Sequence, residues 1–495
     1  MLRLSLLLLA AGLAAACGST RHAAPRTQPA ATLPGLRPGL PPGAVKSPVH
    51  AVAAAPGGVV AVTVLDGDRR VRVPGATVRI QQRRARANRT GVARIRVPHR
   101  RLLPVTIVAH GFARRTVLVD FSVKPDATLR IYRPDLQWPV YGVTAARSQA
   151  QTHIRLRPPF RTVWSLPMGG LIEFPAVVDD GVAYIGNARA SVRAISMRFG
   201  RPIWRHDTPG WPHMASSPAV AGRFLVYHTM DGRVVVLDRA NGQERWTWNA
   251  GSPIESSPVV SDGVDYFGAW NGRLYALDLK THRLRWSREL GAKITSSAAL
   301  ADGSLYIGDY GGRLWSLNAL TGAVRWIGTV NGRIYGTPAV ADRRIFVPSS
   351  TGNSLTAFST SGRELWRVVT GGYVYSSPAA WDGRVFFGSY DGSFYGVSAA
   401  SGRVLWQVPA GGPISGAAVV VDGVAYAGSF AQRIVGVDAA TGRQILTFDH
   451  GHYVPVSGNG MRLLFHGYSR LYAVEPRAVT RTTASHHSHL RRQRP

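Results

Sequence analysis

Several carboxylates of the repeat region stand directly before glycine, among them Asp231, Asp262, Asp302, Asp382, Asp391 and Asp422. That pairing belongs to tight hairpin turns, where both residues take positive φ. Glu255 and Asp309 do not fit the turn slot. Each stands alone, with no partner acid for acid–base work and no set of oxygen ligands for calcium. The only cysteine is Cys17, so an intrachain disulfide and a cysteine-based metal site are both excluded. His486, His487 and His489 sit in a basic Ser/Thr tail. No Gly-rich phosphate loop, zinc-ligand spacing or nucleophile elbow is present. The side chains that do recur are large and mostly aromatic. Met230, Trp270, Tyr310, Tyr390, Phe430 and Tyr468 occupy one place in a repeat, and Trp211, His213, Tyr335, Tyr373, Tyr375 and Tyr453 occupy a neighbouring one. Rings gathered on one face are chemistry for binding a partner.

The elements that must position these rings are short strands. Tryptophan falls at Trp164, Trp204, Trp246, Trp286, Trp326, Trp366 and Trp406, at spacings of 40, 42, 40, 40, 40 and 40, with Leu446 in the next place. One unit shows why. Ser376–Ala380, Val385–Ser389, Phe394–Val397 and Val404–Val408 are apolar runs separated by Asp382-Gly383, Asp391-Gly392 and Ser401-Gly402. Four antiparallel strands in about 40 residues make a propeller blade. First strands recur eight times, from Phe174-Pro175 to Pro455-Val456. The last unit lacks a fourth strand, and the segment Thr162–Leu166 precedes the first unit unpaired. Those two ends complete one another and close an eight-bladed ring with no free ladder edge. The Trp on each outer strand is expected to cover the gap to the next blade.

The unit, as in Leu274-Tyr275-Ala276-Leu277-Asp278 and Thr321-Gly322-Ala323-Val324-Arg325-Trp326, resembles the pyrroloquinoline-quinone-like (PQQ-like) propeller repeat over 160–476. The lead-in Trp138-Pro139-Val140-Tyr141-Gly142 resembles the segment preceding such propellers. The family includes quinone-dependent dehydrogenases, which hold the cofactor with a calcium or lanthanide ion, carboxylates and, commonly, an adjacent cysteine pair. It also includes the lipoproteins of outer-membrane β-barrel assembly, which act as docking platforms. With one cysteine and isolated acids, the expectation is no cofactor, no metal, no catalytic residue, and a binding scaffold. Its partner would be an envelope protein or an anionic wall polymer, and a monomer is expected. The alternatives are a quinone-dependent dehydrogenase and an adhesive or sensor module for wall polymers. The Asp eight places before the Trp is kept at Asp238, Asp278 and Asp438 but becomes Asn318, Phe358 and Ser398, which points to a turn role.

Residues 50–135 alternate apolar and polar with period two and carry Gly/Pro breaks, as expected for a small Ig/transthyretin-like β-sandwich. Val73-Pro74-Gly75-Ala76-Thr77-Val78 and Val105–Phe112 there resemble a carboxypeptidase-regulatory-like domain. The fold class is therefore all-β, with residues 136–159 as connector and 477–495 as a basic disordered tail. At the start, Met1-Leu2-Arg3, the apolar run Leu4–Ala16 and Leu13-Ala14-Ala15-Ala16-Cys17-Gly18 resemble a bacterial lipoprotein signal. That implies cleavage after residue 16, lipidation of Cys17, a Pro/Ala-rich tether over 17–49, and an exported, membrane-anchored protein. The net charge of +32 lies mostly outside the repeat: 26 basic against 5 acidic residues up to Arg161, but 28 against 22 from Trp164 to Pro476. Export argues against nucleic acid as the partner, and directs the positive charge toward lipid headgroups or wall polymers.

Overall fold

The computed structural model describes residues 55–210 and 212–477. The signal, Cys17, the tether, Trp211 and the tail lie outside the described residues. Seven strands come first, in two sheets. Val92–Arg100, Ala55–Asp66 and Asp126–Ile131 form one, in that order. Arg83–Arg86, Thr77–Ile80, Leu102–Val108 and Arg115–Asp120 form the other. Alternation sets the faces: Val60, Val62, Val64, Val78, Ile80, Val105 and Ile107 share one core, while the residues between them point outward.

Eight antiparallel sheets follow, each with four strands from consecutive chain except the last. Blade six runs Ala379–Trp381, Arg384–Gly388, Ser393–Ser398 and Val404–Pro409. The first turn has φ +49° at Asp382 and +69° at Gly383, the two positive values the Asp-Gly reading requires. Blade eight contains Val456–Gly458, Leu463–His466 and Arg470–Pro476, and its outer strand is Phe160–Pro167. Tyr472 faces Ser165 and Ala473 faces Trp164, so the early strand latches the ring closed.

The outer tryptophans join neighbouring blades. Trp164, Trp204, Trp286, Trp326, Trp366 and Trp406 donate their indole N–H to backbone carbonyls of Met197, Arg239, Ala319, Thr360, Ala399 and Ala439 in the next blade, at 3.0–3.2 Å. The turn under each ring is built for it. A Cβ at Gly200, Gly242, Gly322, Gly362, Gly402 or Gly442 would meet indole atoms at 2.5–2.7 Å, which is why Gly recurs there. Blade three departs from the pattern: His282 stacks on Trp246 at 4.3 Å, and the Trp246 N–H has no partner. Asp238, Asp278 and Asp438 accept backbone N–H groups of the turn that follows, as does Asn318. Those bonds, the one from Thr281 foremost, hold the Asp278 carboxyl down at about 2. The degenerate Asp is thus a turn residue.

Two features at the axis go beyond the expected blade. The Ser-Pro pairs precede the first strands instead of starting them, and their hydroxyls link blade to blade. Ser217, Ser257, Ser297 and Thr337 donate backbone N–H to the hydroxyls of Ser257, Ser297, Thr337 and Ser377 in turn. Residues 136–159 also do more than connect. The lead-in tracks the inner strands, accepting backbone N–H from Val220 at Pro139, Leu300 at Ala145, Val340 at Ala146, Ala380 at Ser148 and Val420 at Gln149. Its strand Ala150–Gln151 joins blade seven in parallel. Inner strands have one unpaired edge, and this segment supplies the missing acceptors.

The sandwich packs beside blades one and eight. Tyr132 lies against Gly181 in the first turn of blade one. Arg70 and Arg462 both pair with Glu475. At this seam buried Asp68 accepts from the Arg133 backbone and the Gln137 side chain, yet burial outweighs those bonds and pushes its pKa up to about 7. In blade eight, burial pushes His466 down to about 4, and its Nε2 accepts the Ala176 N–H. Their effects on stability have opposite signs. A raised carboxyl stabilises the fold at low pH and loses that contribution as pH rises from about 4 through 7. A depressed imidazole contributes above pH 6.5 and loses that as pH falls through 4. Measured by urea midpoints, the stability of wild type relative to Asp68→Asn should rise by about 4 kcal/mol between pH 7 and 4. Relative to His466→Gln it should fall by about 3 kcal/mol between pH 6.5 and 4. Flat difference curves would refute both assignments.

Candidate functional site

The recurring rings meet at one end of the propeller because of a repeated backbone bond. The turn between second and third strands donates N–H to the loop entering its own blade: Met230 to His213, Trp270 to Pro253, Tyr310 to Lys293, Tyr390 to Tyr373 and Phe430 to Pro413. Ala188 and Ser350 make the same bond with small side chains, to Leu171 and Arg333. The two sets of aromatic positions therefore lie side by side. The sandwich and the turns between first and second strands, such as Asp382-Gly383, occupy the opposite end.

From blade five to blade eight the rings are in contact. Tyr335 lies 5.1 Å from Tyr375, Tyr375 5.0 Å from Tyr390, and Tyr390 5.7 Å from Phe430. Phe430 lies 5.6 Å from Tyr453, and buried His452 links Tyr453 at 4.0 Å to Tyr468 at 5.3 Å. Tyr373 is 6.0 Å from both Tyr375 and Tyr390. Centroid separations of this size with tilted or edge-on planes are favourable aromatic pairs. Tyr373, Phe430 and Tyr468 are exposed and the others half-buried, so the arc is packed on its inner side and open on its outer side.

Glu255 carries the arc on to blades three and four. Its carboxylate accepts the Tyr335 hydroxyl at 2.6 Å and the Trp270 indole N–H at 3.1 Å. Burial raises its pKa, while those two bonds and Lys293 pull it back. Lys293 Nζ sits 3.2 Å over the Trp270 ring and 5.0 Å from the Tyr310 centroid. Burial pushes the Tyr310 and Tyr390 hydroxyls up to about 12, so both stay protonated at neutral pH. Across the mouth, His213 pairs with Glu173 at 3.1 Å, and that bond raises the His213 pKa. Met230 lies on that side, outside the run of touching rings. Sequence spacing did not single out Lys293 or His452. The signal was available for Lys293, which lies 40 residues before Arg333 and 80 before Tyr373 in the same register.

A quinone cofactor with its metal does not fit these residues. Glu255 is engaged by Tyr335 and Trp270. Asp309 is buried and engaged by Arg313 and the Trp315 N–H at 2.8–2.9 Å. Among the described residues no three His, Cys, Asp or Glu side chains converge as a metal site would require.

The family profile described as outer membrane protein assembly factor BamB matches residues 188–337, 270–372 and 330–449, together more than half of the chain. The BamB of Xanthomonas campestris pv. campestris is 27% identical over 124 residues, covering 21% of this chain and only 30% of that protein. The crystal structure of BamB from Moraxella catarrhalis superposes with a TM-score of 0.55 at 18% identity, over 65% of this chain and 99% of that one. Quinohemoprotein alcohol dehydrogenase from Comamonas testosteroni superposes with a TM-score of 0.59 at 14% identity, over 70% of this chain and 81% of that one. Likeness at such identity speaks for the fold alone. With the repeat, the eight latched blades and the profile in agreement, the chain belongs to the PQQ-like propeller family of the outer membrane assembly factor BamB.

Proposed function

We propose that this is a noncatalytic cell-envelope lipoprotein, anchored through Cys17, whose propeller is a scaffold that binds a protein partner across the aromatic face. The observation that carries the reading is the touching run from Tyr335 to Tyr468, exposed on one side and borne by loops that the blades hold rigidly. A fixed aromatic surface loses little conformational entropy on binding, and large rings dominate interface energetics. The family description, an outer membrane protein assembly factor, supports a protein as the partner.

The test is Tyr310→Ser, Tyr390→Ser and Phe430→Ser in one chain. Partner recovery in affinity purification from the native cells should fall at least tenfold, with thermal unfolding unchanged. Loss of the fold would make the rings blade packing. Undiminished recovery would place the partner elsewhere. A second arm addresses the dehydrogenase reading: pyrroloquinoline quinone with calcium should leave the melting temperature unmoved, and a clear stabilisation would overturn the scaffold.

A further inference from the structure

We infer that the outward face of the four-stranded sheet in the sandwich is a docking surface for an anionic lipid bilayer. This goes beyond the proposed scaffold role and uses the other end of the molecule. The register builds the face. Val78 and Ile80 point into the core, so Arg79 points out, directly opposite Arg84 on the edge strand, while Arg86 stands opposite Thr77. Like charges facing each other across a ladder repel. Among the described residues no acid lies within ion-pair distance of Arg79, Arg84 or Arg86. The acid on this face, Asp120, lies at the far end opposite Leu102 and caps the turn at Ser122. Such a cluster is complemented by an anion from outside.

Charge alone would suit a phosphate-rich wall polymer equally well. The rest of the same face decides against it. Leu118 is 65% exposed, Leu102 57% and Val108 48%, all on outward positions of the other two strands of this sheet. A soluble polyanion offers these side chains nothing. The headgroup–acyl boundary of a bilayer takes both parts, cations at the phosphates and apolar side chains just below. Chain direction agrees: the first strand begins at Ala55, after the segment that follows Cys17. The propeller end that bears the rings is opposite the sandwich, so docking here leaves the aromatic arc facing away from the membrane.

The experiment uses the full chain carrying Cys17→Ser, so that no acyl group contributes, in co-sedimentation with vesicles of phosphatidylcholine with or without 30% phosphatidylglycerol. Each cation at such a surface is worth about fivefold in affinity, so Arg79→Ser, Arg84→Ser and Arg86→Ser together should weaken binding to anionic vesicles roughly a hundredfold. Leu118→Asp should weaken it at least tenfold, and soluble polyglycerol phosphate should not bind. Circular dichroism should show both variants folded. Binding unchanged in the triple variant, or equal on neutral vesicles, would overturn the inference. So would tight polyglycerol phosphate binding that survives Leu118→Asp, which would identify a wall polymer as the occupant. Because none of these arms depends on the aromatic face, their failure is distinguishable from failure of the scaffold reading.

Discussion

Replacing Arg147 with Met should destabilise the folded chain by roughly 3–5 kcal/mol, read as a fall in urea midpoint at unchanged slope. Arg147 is fully buried at the axis, with positive φ, in the lead-in that lies along the inner strands. Its guanidinium donates to the Ala298 carbonyl at 3.0 Å, the Ser257 and Pro258 carbonyls at 3.1 and 2.9 Å, and the Tyr141 carbonyl. It ties blade three to blade four and both to the lead-in. Burial lowers its pKa to about 10, so it remains a cation at neutral pH. Methionine has similar reach and no donor, leaving four buried carbonyls without that partner. Arg147→Lys should recover only part of the loss, because one ammonium cannot reproduce a planar fork spanning three segments. A Met variant within 1 kcal/mol of wild type would show that water or relaxation replaces the arginine.

Trp164→Ala should cost roughly 3–5 kcal/mol as a large-to-small change in packed surroundings, and it should split unfolding into two steps. This indole belongs to the latch strand of blade eight, yet it donates to Met197 and covers Gly200 in blade one. In the other blades all four strands follow one another along the chain, whereas in blade eight the outer strand continues into blade one and joins its own sheet only by pairing with Arg470–Pro476. Besides that pairing, blades eight and one meet through the Arg462 contacts to the Met197 and Arg198 carbonyls, the bond from the Ala176 N–H to His466, and those from the Met168 and Ile172 N–H groups to the Ser469 and Tyr468 carbonyls. Weakening it frees the two terminal blades to open before the rest. Trp406→Ala, at an internal interface, should show a similar loss in a single transition. Trp246→Ala should be about 1 kcal/mol milder, because its N–H has no acceptor to lose. Equal behaviour of Trp164 and Trp406 in calorimetry would refute the idea of a weak seam.

The propeller was legible because its signals are side-chain signals repeated in register. Tryptophan at a spacing near 40 residues marks seven of the eight outer strands, Gly marks the turn beneath most of the indoles, and Asp-Gly marks five of the first hairpins. The missing fourth strand of the last unit and the spare strand at Val163 count the blades. The aromatic positions were legible for the same reason, but their contacts were not. That Tyr335 and Trp270 converge on Glu255 depends on separate blades being bent toward one mouth. The lead-in was least legible. Val143, Arg147 and Gln149 take positive φ without being glycine, and the segment's bonds are made by backbone carbonyls that any residue carries.

By itself, then, the amino-acid order determined the all-β class, the number of blades, how the ring closes and which positions bear rings. Each of these follows from local period and turn chemistry, which act between residues close along the chain. Tertiary structure alone decided that the lead-in lines the axis, that the sandwich sits opposite the rings, and that Arg79 and Leu118 share a face. Those arrangements join residues up to hundreds of positions apart, and they are selected by which buried donors and acceptors find partners once the blades are assembled.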